Sequence, residues 1–424
     1  MNIQALYKLY LSSTGITTDT RKIDKGNLFF ALKGENFNGN EFALSALNAG
    51  ANFAIVDETI EENHQLIKVN NVLETLQELA KFHLEQFKVP ILAITGSNGK
   101  TTTKELIHVV VSQKFKTYTT KGNLNNHIGI PLTILSVKSD AEFVIIEMGA
   151  NHLGEIASYC SIVQPDYGII TNCGKAHLEG FGSEEGVRKG KGELYDYLRE
   201  HMGGVFVYNE APYLRDMARG IASIITYGVS PSCAISGDIY GAEEKLSIQL
   251  NNAEKTIIHT QLIGQYNLPN VLAAITVGRF FGIELENIKK AIEAYTPTNS
   301  RSQLVEKYGA KIILDAYNAN PSSMKTAIEN LIKIPHNRKV LMIGSMAELG
   351  DATSQEHQNI IELIRTAKWD HVVLVGPHFA TYSSEFMYFK NAEEAKEWFK
   401  NIDWAGAYIL VKGSRSQEME KIIS

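Results

Sequence analysis

Residues 91–105, ILAITGSNGKTTTKE, constrain the fold more than any other stretch of the chain. A short apolar run ends at Thr95, and Gly96, Ser97, Asn98 and Gly99 form a turn. Lys100, Thr101 and Thr102 then open a segment whose Leu106, Ile107, Val110 and Val111 recur at helical spacing. A strand, a glycine turn and a Lys-Thr helix start make the layout of a phosphate cradle. The glycines let backbone N–H groups converge, and the helix N-terminus adds positive potential. Lys100 can reach terminal phosphates, and Thr101 can hold a magnesium ion. The loop is shorter than the common G-x-x-x-x-G-K-[ST] pattern, since Ile94 stands where that pattern has its first glycine.

With 424 residues, two to four domains are expected at roughly 100–200 residues each. A hydrophobic content of 44% and a charged content of 21% fit a globular protein with substantial cores. A net charge of -6 and the lack of a long Lys/Arg run argue against a nucleic-acid partner. Cys160, Cys173 and Cys233 have no metal-like spacing, and an odd, sparse set points to a reducing compartment. The start, MNIQALYKLY, is too polar for a signal peptide, and no run approaches 18 apolar residues. The expectation is a cytoplasmic protein without membrane insertion.

Residues 1–88 read as a first unit, with strand-like 27–32 and 52–56 and helix-like 41–49 and 72–87. Val72, Leu76, Leu79 and His83 lie near one helical face. Asp19-Thr20-Arg21 is either a surface turn or a planar fork for an anion. Pro90 marks the passage into a second unit, 89–300. The amide- and glycine-dense stretch 121–131, with Asn123 and Asn126, cannot be a core element, and it either forms turns or lines a channel. The strand 142–148 ends at Glu147, either a solvated acid or a magnesium ligand at a strand end, where ligands gather in open α/β sheets. The strand 167–171 leads into a glycine-rich loop carrying Asn172, Gly174, Lys175 and His177, and that histidine is either structural or part of a site. Arg188, Lys189 and Lys191 read as a solvated helix start; if buried by magnesium and phosphates, such crowding lowers a lysine's pKa.

Residues 232–260 alternate weakly and suggest a small β extension, with edge strands at 247–250 and 255–260. Asn267 and Asn270 precede an apolar helix, 271–281, as caps or as groups that recognise a base or an amide. In the third unit, 301–424, strands at 311–314, 339–343, 372–375 and 408–411 alternate with helices at 322–334, 354–366, 392–401 and 416–423. That alternation predicts a parallel, doubly wound, Rossmann-like sheet. Its strand ends carry Asp315, Tyr317, Asn318 and Asn320, then Gly344 to Glu348, then Lys412, Gly413, Ser414 and Arg415.

These motifs together resemble the Mur ligases of bacterial cell-wall synthesis, over nearly the whole chain. The shared parts are TGSNGKTTTKE at 95–105, the Glu147 strand end, His177 and the lysine of KGKGE. GNLNNHIGIPLTIL at 122–135, EMGANHLGEI at 147–156, DAYNANPSSM at 315–324 and KGSRSQEME at 412–420 are similar to the branch that uses D-alanyl-D-alanine. The resemblance implies an α/β protein of three domains: a small N-terminal α/β domain, a central P-loop domain with a mostly parallel sheet and helices on both faces, and the C-terminal Rossmann-like domain. Residues 1–88 would hold the uridine nucleotide of the substrate, 89–300 ATP, and 301–424 the dipeptide and further nucleotide contacts.

Carried onto this sequence, the resemblance places Thr95 to Thr102, with Lys100, on the phosphates. Thr101 and Glu147 would hold one magnesium ion, and His177 would sit at a second. Lys191 matches a lysine that is carbamylated in the family. Asn267 and Asn270 match the adenine side, and Arg301 and Asp315 meet ATP. Asn123, Asn126, Tyr317, Asn318 and Asn320 would border the substrates, and Lys412, Ser414 and Arg415 the dipeptide. Asp19, Thr20, Arg21, Lys33 and Gly34 resemble the uridine-nucleotide pattern. The implied partners are ATP, a UDP-N-acetylmuramoyl-tripeptide and D-alanyl-D-alanine, acting on a monomer.

The sequence departs from the family at Asn38-Gly39-Asn40, where Asp-Gly-His is common, at Gly344-Ser345-Met346, where Gly-Asp-Met is common, and at Gly190, where alanine is usual. The implied reaction makes an acyl phosphate from the tripeptide carboxylate and ATP, which the dipeptide amine then attacks. Two other readings compete. A folylpolyglutamate synthase shares such an ATP domain, but the long region before the cradle and the block at 315–324 argue against it. A P-loop ATPase acting on a partner would leave His177 and Lys191 without a role.

Overall fold

The computed structural model describes residues 2–59, 62–241, 244–298 and 301–424. The chain packs as two compact units, one of residues 1–94, 114–150 and 154–168, the other of 95–113, 151–153 and 169–424. The expected domain start at Ser300 lies outside the described residues.

In the first unit, Ile16–Thr17, Leu28–Phe30, Phe53–Val56 and Leu66–Lys68 form a four-stranded sheet in that order, every pair parallel. Helix Val72–Leu84 buries Val72, Leu76, Leu79 and His83, the face its periodicity predicts. Asn71 caps it by accepting from Glu74 N at 3.1 Å. A helix at Ile3–Ser12 was not anticipated; its stripe is narrow, with Leu6 its buried residue. The same unit pairs Ile91–Thr95 with Phe143–Glu147, and the latter with Thr117–Thr119, all parallel. Ile91–Thr95 and Phe143–Glu147 are buried at every position, as continuous apolar runs in a parallel sheet should be.

The second unit contains Gly204–Tyr208, Ser223–Gly228 and Ile235–Ile239, paired parallel. Lys245–Leu250 and Ile257–Ile263 extend them as antiparallel strands, the β extension expected from the sequence. Helix Leu268–Phe280 is apolar nearly all round and buried on most sides. A six-stranded sheet follows in the order Gln303–Lys307, Ala310–Asp315, Tyr408–Lys412, Lys339–Gly344, His371–Val375, Met387–Phe389. Its pairs are parallel except the first, which is antiparallel. The four strands read from the sequence are the central ones. The two edge strands are partly exposed, and Met387–Phe389 is only 3 residues long, so their period is weak.

One expected helix is absent. Residues 416–423 form two 3-10 turns, Arg415–Gln417 and Met419–Ile423, separated by Glu418 at φ 46°. Met419 and Ile422 lie three apart and both enter the sheet core, a spacing that suits three residues per turn.

Candidate active site

The phosphate loop lies in the second unit. Gly96 has φ 141°, and a Cβ there would come 2.0 Å from Thr171 Oγ1; Gly99 has φ 81°, and a Cβ would come 2.8 Å from Asn270 Oδ1. Both glycines are therefore required by backbone conformation and by close approach. Asn98 N donates to Asn172 Oδ1 at 3.0 Å, and Asn98 O accepts from Thr171 Oγ1 at 2.6 Å and Asn172 Nδ2 at 3.0 Å. Ser97 Oγ donates to Gly174 O at 2.9 Å. The loop after Tyr167–Ile170 thus braces the cradle from one side. Lys100 Nζ folds back over it, donating to Gly96 O at 2.6 Å and Ser97 O at 3.3 Å. Thr101 follows in the first turn of helix Lys100–Val111 and is 3% exposed, beside Thr102.

Asn267 and Asn270 are not helix caps. Asn267 makes no side-chain cap bond, and its Nδ2 donates instead to Ile263 O at 2.8 Å. Its Oδ1 accepts from Asn270 Nδ2 at 2.9 Å, and Asn270 Oδ1 accepts from Thr103 Oγ1 at 3.0 Å. A buried amide relay therefore ties Leu268–Phe280 to the phosphate-loop helix.

The strand ends of the six-stranded sheet converge on the same region. The Arg301 guanidinium stacks on Tyr317 with 3.7 Å between its carbon and the ring centroid. Lys412 is 2% exposed, and its Nζ sits 2.6 Å from Asp315 Oδ2 and 3.1 Å from Asn318 O. Its charge is spent inside the fold, linking Ala310–Asp315 to Tyr408–Lys412. Ser414 is likewise buried, donating from Oγ to Ser345 O at 2.6 Å. Ser345 is held through that carbonyl and is 1% exposed, so its side chain is no obvious ligand contact. Arg415 is exposed and pairs with Glu420 at 2.5 Å. Asn320 caps helix Pro321–Lys333 through a capping box, and its Nδ2 donates to Asn98 Oδ1 at 2.8 Å.

His177 and Glu348 are both non-glycine residues with positive φ, 52° and 60°. Such backbones collect where function holds them. His177 Nδ1 lies 2.5 Å from Glu348 Oε2. It holds the Glu348 carboxyl below the usual carboxylate range. Nearby, Lys175 Nζ pairs with Glu356 at 2.7 Å.

Lys191 is 1% exposed, in the interior of helix Glu184–Glu200, which Ser183 caps. The solvated-helix-start reading fails for it, because the helix turns this position inward. Its Nζ lies 5.0 Å from the centre of the Phe181 ring. A Cβ at Gly190 would come 2.4 Å from Phe181 Cε1, so the glycine departure is explained by the ring that fills its space.

In the first unit, Glu147 is 1% exposed and its Oε1 accepts from Asn125 Nδ2 at 2.8 Å. Asn125, not singled out from the sequence, thus orients the acid; its signal is its place in the amide-rich loop. Asn126 accepts from Gly129 N at 2.8 Å as a turn former, and Asn123 is exposed. Asp19 and Arg21 pair at 2.9 Å, holding the Asp19 carboxyl down to about 2, with Thr20 between them. Lys33 and Gly34 begin a hairpin beside an open cleft of about 470 Å³ lined also by Phe37, Phe42 and Glu58. Lys33 Nζ is bracketed by Asp57 at 2.9 Å and Glu58 at 2.8 Å. Asn40, in the departed motif, is 2% exposed and donates to Asp57 Oδ1 at 2.9 Å, so a neutral amide completes this turn.

Three family profiles match the chain in order: Mur ligase family, catalytic domain, over 12–90; Mur ligase middle domain over 94–278; and Mur ligase, glutamate ligase domain, over 300–415. The UDP-N-acetylmuramoyl-tripeptide–D-alanyl-D-alanine ligase of Bacillus subtilis (strain 168) is 34% identical over 427 residues, covering 96% of this chain and 92% of that protein. Among solved structures, MurF from Acinetobacter baumannii is similar with TM-score 0.88 and 28% identity, covering 99% of this chain and 97% of that one. MurF ligase from Thermotoga maritima in complex with ADP is similar with TM-score 0.86 and 27% identity, covering 97% and 96%.

Proposed function

The chain belongs to the Mur ligase family, and from that membership we propose that it is the ATP-dependent ligase joining D-alanyl-D-alanine to a UDP-N-acetylmuramoyl-tripeptide. The observation that carries the reading is the cradle itself, a short T-G-S-N-G-K-T loop braced by Asn172 and Asn270 and met by Asn320. Relatives that match 96% of this chain and 92% of their own length support the substrates. Functionally the chain divides as 1–88 for the uridine nucleotide, 89–300 for ATP and 301–424 for the dipeptide and further nucleotide contacts. The product serves peptidoglycan precursor synthesis. No helix among the described residues is long and apolar enough to cross a membrane. We place the enzyme in the cytoplasm, where ATP is available and where Cys160, Cys173 and Cys233 stay as free thiols.

A carboxylate is a poor electrophile. The tripeptide carboxylate attacks the γ-phosphorus of ATP, giving an acyl phosphate and ADP. The free amine of D-alanyl-D-alanine then attacks the acyl carbon, and the tetrahedral intermediate expels phosphate. Lys100 leaves its internal carbonyl partners for the phosphate oxygens, and Arg301, held flat by Tyr317, faces the same charge. Asn267 and Asn270 fix the helix beside the adenine side; Asp315 is steadied by Lys412 for contact with ATP.

Thr101 would offer magnesium a hard oxygen donor, and Glu147 is a carboxylate of the same hard kind; this ion keeps water and phosphate in its shell. When bound, it supplies neutralisation of the transferred phosphoryl charge. His177 is assigned to a second ion, with Nδ1 engaged by Glu348. For Lys191 the family resemblance implies carbamylation. Its neutral amine plus carbon dioxide gives a carbamate and a proton, an anion suited to the metal side. Lys191→Ala is expected to lose nearly all turnover and to regain part with added acetate; a fully active variant overturns the carbamate role.

The deciding assay measures ADP release from ATP with UDP-muramoyl-tripeptide, with and without D-alanyl-D-alanine, against a folate-plus-glutamate control. Amine-dependent release is expected only with the first pair. Lys100→Ala should lower turnover by orders of magnitude with an unchanged unfolding temperature. Near-normal turnover in that variant sinks the assignment.

A further inference from the structure

We propose that Asn320 is a positioning residue. Its amide holds the phosphate loop against the segment carrying Arg301, Asp315 and Tyr317, so that the acyl phosphate is kept for the amine rather than lost to water. This rests on the ligase reading above.

The orientation of the Asn320 amide is fixed by its own helix. Its Oδ1 accepts from Ser323 N at 2.9 Å while its backbone N donates to Ser323 Oγ at 3.1 Å. The oxygen is thereby committed to the cap, and Nδ2 must point away from the helix. That nitrogen meets Asn98 Oδ1 at 2.8 Å. Asn98 cannot yield easily, because its backbone N and O are both held by Asn172 and the O also by Thr171. One amide therefore joins two rigid parts 222 positions apart in sequence.

A second contact runs beside it. Ser322 Oγ accepts from Lys175 N at 3.0 Å, and a Cβ on Gly174 would come 2.7 Å from that oxygen. The start of helix Pro321–Lys333 is thus seated on the loops around the cradle, by a close approach that a glycine permits. Residues from both sides of this seam must hold one nucleotide at once: Lys100 and Asn270 on one side, Arg301 and Asp315 on the other. If the seam loosens, the nucleotide is still cleaved, but the acyl phosphate sits in a site that admits water.

Asn320→Ser and Asn98→Ala separate this from simple stability. Serine is as good a helix cap as asparagine, so Asn320→Ser keeps the cap and removes only the reach to Asn98. Asn98→Ala keeps the backbone bonds of the loop and removes the same acceptor. Full-length protein with ATP, UDP-muramoyl-tripeptide and D-alanyl-D-alanine is assayed for ADP and for amide product separately. The wild type is expected to give one ADP per amide. Both variants should release ADP in excess over amide, with amide formation down about two- to tenfold, the scale of one neutral hydrogen bond. The double variant should be no worse than either single one. A wild-type coupling ratio in both variants overturns the proposal, as does a raised KM for dipeptide confined to Asn320→Ser, which would make Asn320 a substrate contact. Absence of amine-dependent ADP release in the wild type sinks the ligase reading itself.

Discussion

Glycine serves two different needs in this chain. At Gly96 it provides a left-handed backbone under Thr171, while at Gly190 the backbone is ordinary helix and the need is space for Phe181. The second kind is reversible by design. Gly190→Ala should cost ~1–3 kcal/mol as overpacking, and Phe181→Leu in the same chain should return part of it. Denaturant unfolding of the single and double variants checks this; an unrelieved loss argues against the ring as cause. Lys412 gives the complementary case. It is 2% exposed against an Asp315 that is 18% exposed, so Lys412→Met strands a largely buried carboxylate. The expected loss is ~3–5 kcal/mol, read by the same unfolding measurement. A loss below that of a surface residue would mean that water already reaches the pair. Sequence reading found Lys412 because it ends a strand, but it could not see that Asp315, 97 positions away, takes the charge.

At the scale of elements, long periodic segments were legible and short or polar ones were not. Val72–Leu84 and the four central strands of the C-terminal sheet show their period, since one face or both are buried. Gln303–Lys307 and the turns at Arg415–Gln417 and Met419–Ile423 carry too little pattern to separate strand or helix from loop. Two helices also carry a titratable brace. Burial holds the imidazoles of His83 and His357 below the usual histidine range, partly offset by Val137 O and Thr353 O. His357 Nε2 accepts from Met346 N at 3.0 Å, a role only the neutral ring can fill. The folded pKa is thus below the unfolded ~6.5, so the stability is complete above that value and falls as pH drops through the folded one. Unfolding temperature should decline on acidification below ~6.5, and less so in His357→Gln, whose amide keeps an acceptor. Equal declines in both proteins remove His357 from the cause.

At the scale of the whole molecule, the nucleotide groups assigned by the cradle, the asparagine relay and the Arg301 segment all belong to the second unit. Adding ADP should therefore slow hydrogen exchange most at 95–101, 265–271 and 301–318. At about 100 times its dissociation constant it should add ~2.7 kcal/mol to stability. Protection confined to residues 1–88 would place the nucleotide elsewhere. The candidate residues Asp19, Arg21 and Lys33 sit in the first unit and should respond instead to the uridine substrate.

The sequence by itself determined the α/β class, the phosphate cradle, the strand ends where polar residues gather and the family to which the chain belongs. Those features are written in local spacing, because period, glycine and the residue after a strand act within a few positions. Tertiary structure alone decided which of those polar residues find partners inside the fold. Lys412, Ser414, Asn267 and Asn270 find their partners within the fold, and Asn320 reaches Asn98. A hydrogen bond is settled by whatever the fold brings within 3 Å or so, and the distance along the chain carries no trace of it.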